Sequence, residues 1–181
     1  LEAVGANPLV KLFGPLFAWI FKNVQTAVPP HPTDTPYDGP YHQLLEHLGD
    51  SDVAQVVSEA VRGVFEKSKL PHRTSLLMFA IVARTLSYNI CENAASTHLQ
   101  ADGLPARSIE DVLTHLAGEE LSELEAALIP WTRETVRYQT HIMQQSTRKL
   151  SARIGPELTL EAIGVASVAN MVVRVALLGA L

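Results

Sequence analysis

One cysteine and one histidine, Cys91 and His98, stand seven residues apart in SYNICENAASTHLQADG, from Ser87 to Gly103, where residues able to do chemistry are concentrated. If Asn89 opens a helix there, it is a good capping type, and Glu92 three positions on can reach back to complete a capping box. Cys91 then occupies the second helical position. Free N–H groups and the positive end of the helix dipole favour a thiolate there, so the thiol pKa is expected to fall and the sulfur to be nucleophilic and oxidisable. His98 follows two turns later on the same side, about 10 Å along the axis. That is too far for a direct hydrogen bond, but a water or side chain can bridge it, and imidazole suits a relay because its pKa lies near neutrality. The bland reading of the same pair is a small buried hydrophobe and a hydrogen-bonded structural histidine. Cys91, His98 and Glu92 are the candidate catalytic residues.

Other chemistries find no support. The histidines at 31, 42, 47, 72, 115 and 141 are scattered, and His42 and His47 are five apart, missing the i, i+4 spacing of helical metal ligands. A single cysteine excludes an internal disulfide and a multi-cysteine metal site, and suits a reducing, cytoplasmic setting. There is no glycine-rich phosphate loop and no G-x-S-x-G elbow, so neither a cofactor nor a metal is expected. The formal net charge of −5, with no run of Lys and Arg, argues against nucleic acid and against charge-driven membrane binding.

The elements that must position these residues read as helices throughout. With 47% hydrophobic and 18% charged residues, the 181-residue chain is a globular composition with room for one proper core. Ser51 caps a helix in which Val53, Val56, Val57, Ala60, Val61, Val64 and Phe65 form an amphipathic stripe. Thr74 to Tyr88 is apolar on nearly every side except Arg84, as a helix buried in a bundle would be. Gly103 caps the next helix and Ser108 begins another. A short helix over Glu119–Leu128 is expected, and Pro130 then starts a long polar helix closed by Gly155 and Pro156. Glu161 to Leu181 is nearly all apolar, yet Asn170 and Arg174 lie on one face near its middle. A bundle helix whose Arg174 meets a partner carboxylate or carbonyl fits this better than a membrane span. No alternating strand pattern or hairpin turn is present.

Before this domain, over residues 41–181, stands an arm with a connector over residues 1–40. The apolar run from Leu12 to Phe21 is ten residues, half of what spanning a bilayer takes, and Pro15 interrupts it. It reads as a packing arm. Five prolines between Val28 and Pro40 make the rest an extended connector.

A long apolar helix, a short break, and Cys91 and His98 opening the next helix resemble the alkylhydroperoxidase D and carboxymuconolactone decarboxylase superfamily. The stretch LEAIGVASVANMVVRVALLGAL, with Asn170 and Arg174 four apart, is similar to that family's final helix. The resemblance covers Leu44 to Leu181. In the redox branch the motif is Cys-x-x-Cys-x-x-x-His, with a Glu on the preceding helix and a His beside the second Cys. Cys91 matches the first cysteine and His98 the histidine. Ala94 replaces the second cysteine, Asn93 the neighbouring histidine, and Phe79 falls where the Glu is expected.

The resemblance implies an all-helical bundle of the alkylhydroperoxidase D type, forming homo-oligomers with sites at or near subunit contacts. It also implies a peroxidase-like, antioxidant oxidoreductase, in which a lone Cys91 is oxidised to a sulfenic acid and rescued by an external thiol while His98 relays the proton. The decarboxylase branch, which moves protons with His and carboxylate groups, implies instead an enzyme in which His98 is general acid or base on a small carboxylated substrate. The losses at Phe79, Asn93 and Ala94 suit a third reading, a helical scaffold or small-molecule-binding protein that kept the fold and lost the chemistry.

Overall fold

The computed structural model describes residues 37–49 and 51–179. The expected arm and most of its connector lie outside the described residues. Eight helices follow one another among the described residues, with no strand: α1 (His42–His47), α2 (Asp52–Lys67), α3 (His72–Thr85), α4 (Asn89–Ala101), α5 (Ala106–His115), α6 (Glu123–Arg137), α7 (Thr140–Ile154) and α8 (Pro156–Gly179). The all-helical expectation holds.

Local chemistry sets most of the boundaries. Ser51 Oγ accepts the Ala54 N–H at 3.2 Å, so α2 starts where expected. Ser122 and Glu125 form a full capping box at the start of α6. The α4 helix ends at Ala101, with Asp102 as its C-cap, Gly103 at φ +90° and the Leu104 N–H returning to Leu99 O, a Schellman-type stop. Gly155 at φ +86° closes α7, and Pro156 opens α8, where its missing N–H has no cost.

Several boundaries differ from expectation: the short helix expected over Glu119–Leu128 starts at Glu123 and runs on to Arg137, and the last helix starts at Pro156 rather than Glu161. Tyr88 occupies the cap position of α4 and Asn89 is its first helical residue, with no side-chain cap, so the Asn89–Glu92 capping box is not formed. The α5 helix begins at Ala106 rather than at Ser108. Pro130 lies inside α6 instead of starting a helix. Pro130 and Ala126, whose carbonyl loses its helical donor, are both exposed, so solvent can satisfy that carbonyl. The break comes at Tyr138, which takes a left-handed conformation (φ +47°) and divides the expected polar helix into α6 and α7.

Packing is organised around α3. Its ten consecutive residues from Thr74 to Ala83 are buried, and it packs against α4, α6 and α8. The polar exits are its two ends. Arg73 is 3.2 Å from Glu125, itself a buried residue, and Arg84 reaches Glu92 and Glu110, each at 2.7 Å. The α4 helix lays Cys91, Ala95 and Leu99, spaced by four, into the same core. The α8 helix packs on α2, α3, α6 and α7. It is the one helix among the described residues long and apolar enough to cross a membrane, by length and composition only. Arg174 does not find the carboxylate or carbonyl expected for it. It is exposed and makes no ion pair among the described residues.

Phe79 stands at the centre of this arrangement, fully buried, with ring centroids 5.0 Å from Tyr41 and 5.1 Å from Phe65. Replacing it by Ala leaves a cavity that its helix neighbours cannot close, and Phe79→Ala is expected to cost about 3–5 kcal/mol of unfolding free energy. Urea denaturation followed by circular dichroism measures it, and a loss under about 1 kcal/mol would contradict this packing.

Candidate functional site

Cys91 and His98 face the same concavity. Both line a recess of about 350 Å³ between α4 and α1, together with Tyr41, His42, His47 and Ala94. Tyr41 forms its inner wall. It is 4% exposed, holds a left-handed backbone (φ +69°) just before α1, and its Oη donates to the Cys91 carbonyl oxygen at 3.0 Å. That bond ties the start of α1 to α4, fifty residues away in sequence, and the aromatic contacts tie it to Phe65 of α2 and Phe79 of α3.

The electrostatics at Cys91 reverse the sequence expectation. The residue is 1% exposed, and burial pushes its thiol from 9.0 up to about 12. A helix N-terminus stabilises a nearby anion by roughly 0.3–1 kcal/mol at an exposed site. Removing a thiolate from water costs more than that. Desolvation wins, and the sulfur is a protonated thiol throughout the neutral range.

Glu92 is also placed otherwise than expected. It turns away from the recess to accept from Arg84 Nε and Nη2, both at 2.7 Å, a bidentate pair. Arg84 completes its fork on Glu110, whose carboxyl is drawn down to about 2 by Arg84 first and by Thr114 next. Glu92 is thus a strut fixing α4 to the end of α3, not a proton carrier beside His98.

His98 keeps its chemical availability. Its side chain is half-buried and makes no hydrogen bond among the described residues. Its pKa lies below the ordinary 6.5, because burial and the neighbouring His72 and His42 oppose its charge more than Asp102 favours it. It is a neutral imidazole at pH 7.

The sequence pattern missed His42, His47 and Tyr41. His42 Nδ1 lies 3.2 Å from Gly39 O and His47 Nδ1 lies 2.6 Å from Gln43 O. A carbonyl only accepts, so both Nδ1 atoms carry the proton, and in the neutral rings each Nε2 keeps a free lone pair. Five-residue spacing hid the pair, since no local rule marks two histidines that converge on a distant helix. Among the described residues no group of three or more His, Cys, Asp or Glu is arranged to hold a metal ion.

No family model, curated protein or solved structure matches the chain.

Two measurements check this geometry. The unfolded chain loses the Cys91 proton near pH 9 while the folded chain holds it to about pH 12, so burial of the thiol lowers stability as pH rises through that window. Wild type should therefore lose more stability than Cys91→Ala between pH 9 and pH 11, and parallel pH profiles would contradict the buried thiol. The strut predicts an asymmetry: Glu92→Ala should cost about 1–3 kcal/mol, and Glu110→Ala, at an exposed position, clearly less. Equal costs in chemical denaturation would remove the distinction.

Proposed function

We propose that the recess between α1 and α4 is a small-molecule site in which His98 is the general acid–base, in the manner of the decarboxylase branch of the resemblance. The observation that carries this reading is the His98 imidazole, neutral and without a hydrogen-bond partner among the described residues, lining a recess rimmed by two further histidines. A base working near neutral pH needs this protonation state and an open lone pair.

The chemistry follows from the lining. Leu44, Ile90 and Ala94 take the apolar body of a small substrate, and Nε2 of His42 and of His47 accept from its hydroxyl groups. His98 removes a proton from a carbon beside a carbonyl or carboxyl, the electron pair moves onto that oxygen, and the imidazolium returns the proton to the product. Cys91 contributes wall. The thiol-peroxidase reading asks for an ionised, reachable sulfur, and a 1% exposed thiol raised to about 12 disfavours it.

The test uses small lactone and oxo carboxylates in deuterated water, with solvent deuterium incorporation and the His98 ring resonances followed by NMR. Exchange should rise with pH through an apparent pKa below 6.5 and level off above it, because the neutral ring is the active form. His98→Asn should lower the rate by roughly 10²–10⁴-fold, and Cys91→Ala should leave it within about threefold. Consumption of cumene hydroperoxide with dithiothreitol should not exceed the blank. Peroxide turnover that disappears in Cys91→Ala returns the site to thiol chemistry. Unmoved His98 resonances with every compound end the acid–base reading.

A further inference from the structure

The sequence pairs Asn170 with Arg174 on the apolar stretch of α8 that follows Glu161, and the recess at α4 makes no use of them. Both line a second, larger groove of about 840 Å³ formed by α6, α7 and α8. Its walls include Trp131, Met143, Leu160 and Ile163, and Leu160 is 71% exposed, a costly state for so large an apolar side chain. The groove lining holds two cations, Arg174 and Arg148, and no Asp or Glu. Neither arginine makes an ion pair among the described residues.

Register along α8 relates the apolar wall to the cation. Leu160, Ile163, Ser167 and Arg174 recur at three-, four- and seven-residue intervals, so they lie along one stripe of the helix. Ile163 and Arg174 are eleven residues apart, about 16 Å along the axis, the span of an extended acyl tail. A lining with only positive charges calls for an anion. A second copy of this chain laid antiparallel along α8 is a poorer complement. The carboxylates that α8 itself would bring, Glu157 and Glu161, are engaged with Lys69 and Ser68.

We propose that this groove binds an amphipathic carboxylate, its apolar chain along Leu160 and Ile163 and its headgroup on the Arg174 guanidinium. Asn170 holds the neighbouring turn in place, its amide donating to Thr135 Oγ1 at 3.1 Å and to Ala166 O at 2.9 Å, so α6 and α8 stay in register at the headgroup end. The volume lies within the ordinary range of small-molecule sites.

Calorimetric titration of the full chain with monomeric dodecanoate, dodecanol and dodecyltrimethylammonium tests the assignment. Dodecanoate should bind with a stoichiometry of one and at least about tenfold more tightly than the alcohol, and the cation should bind weakest. Arg174→Gln should abolish the preference for acid over alcohol, Arg148→Gln should keep most of it, and Ile163→Asn, at a partly exposed position, should weaken acid and alcohol alike. Equal affinity for the three amphiphiles, or wild-type affinity in Arg174→Gln, overturns the proposal. So does a dimer in sedimentation velocity that Ile163→Asn dissociates, which gives the face to a second copy. Binding to phosphatidylglycerol vesicles without binding to monomeric dodecanoate likewise overturns it, in favour of a membrane surface.

Discussion

A helix apolar on every side has to be enclosed, and the burial of α3 is the constraint on which the rest of this structure depends. Ten successive side chains out of water leave no face for solvent, so neighbours must cover α3 all round, and α4, α6 and α8 do so. Such a core helix fixes position along its axis only weakly, since apolar contact is non-directional. The arginines at its ends supply the direction. Arg73 engages Glu125, which also accepts from the Ser122 N–H and so belongs to the cap of α6. Arg84 forks between Glu92 of α4 and Glu110 of α5. Each end of the buried rod is thereby tied to the helices that enclose it.

This arrangement explains why the candidate site divides as it does. The α4 helix is drawn onto α3 by the row Cys91, Ala95 and Leu99, and whatever chemistry the sulfur could have had is given up to packing. His98 lies on the flank of that row, where α1 comes close without sealing the surface. Two residues two turns apart on one helix thus meet different dielectric environments. The thiol is kept neutral by holding its proton and the imidazole is kept neutral by losing one, and desolvation is the main cause in both cases. The Tyr41 hydroxyl, fully buried and raised well above its usual pKa, adds a third uncharged group to the same corner.

How much of this could be read from residue order varies with the range of the interaction. The Ser51 cap, the Gly103 stop, the Gly155–Pro156 corner and the enclosed texture of α3 are local or periodic signals, and all are legible. Pro130 misleads because a proline in a helix is tolerated on a solvent-facing side, and facing is a tertiary property. Tyr138 carries no signal for its left-handed turn, which glycine or asparagine would have announced. The pairing of Cys91 with His98 on one recess is legible from spacing, but the acidity of the thiol is not. The burial that decides it comes from packing against residues remote in sequence. Glu92 looked like a capping or proton-transfer carboxylate because the competing claim of Arg84 lies on another helix.

The order in which the enclosing helices occur along the chain has a bearing on synthesis. On a ribosome α3 emerges well before α6, and α8 comes after every other described helix. A nascent chain therefore carries the helix that the fold buries most deeply with one wall missing until α8 has left the exit tunnel. Early on, α4 and α5 can close one flank through the Arg84 fork, while the flank reserved for α8 stays open. That interval is when the polypeptide is most exposed to aggregation and to capture by chaperones.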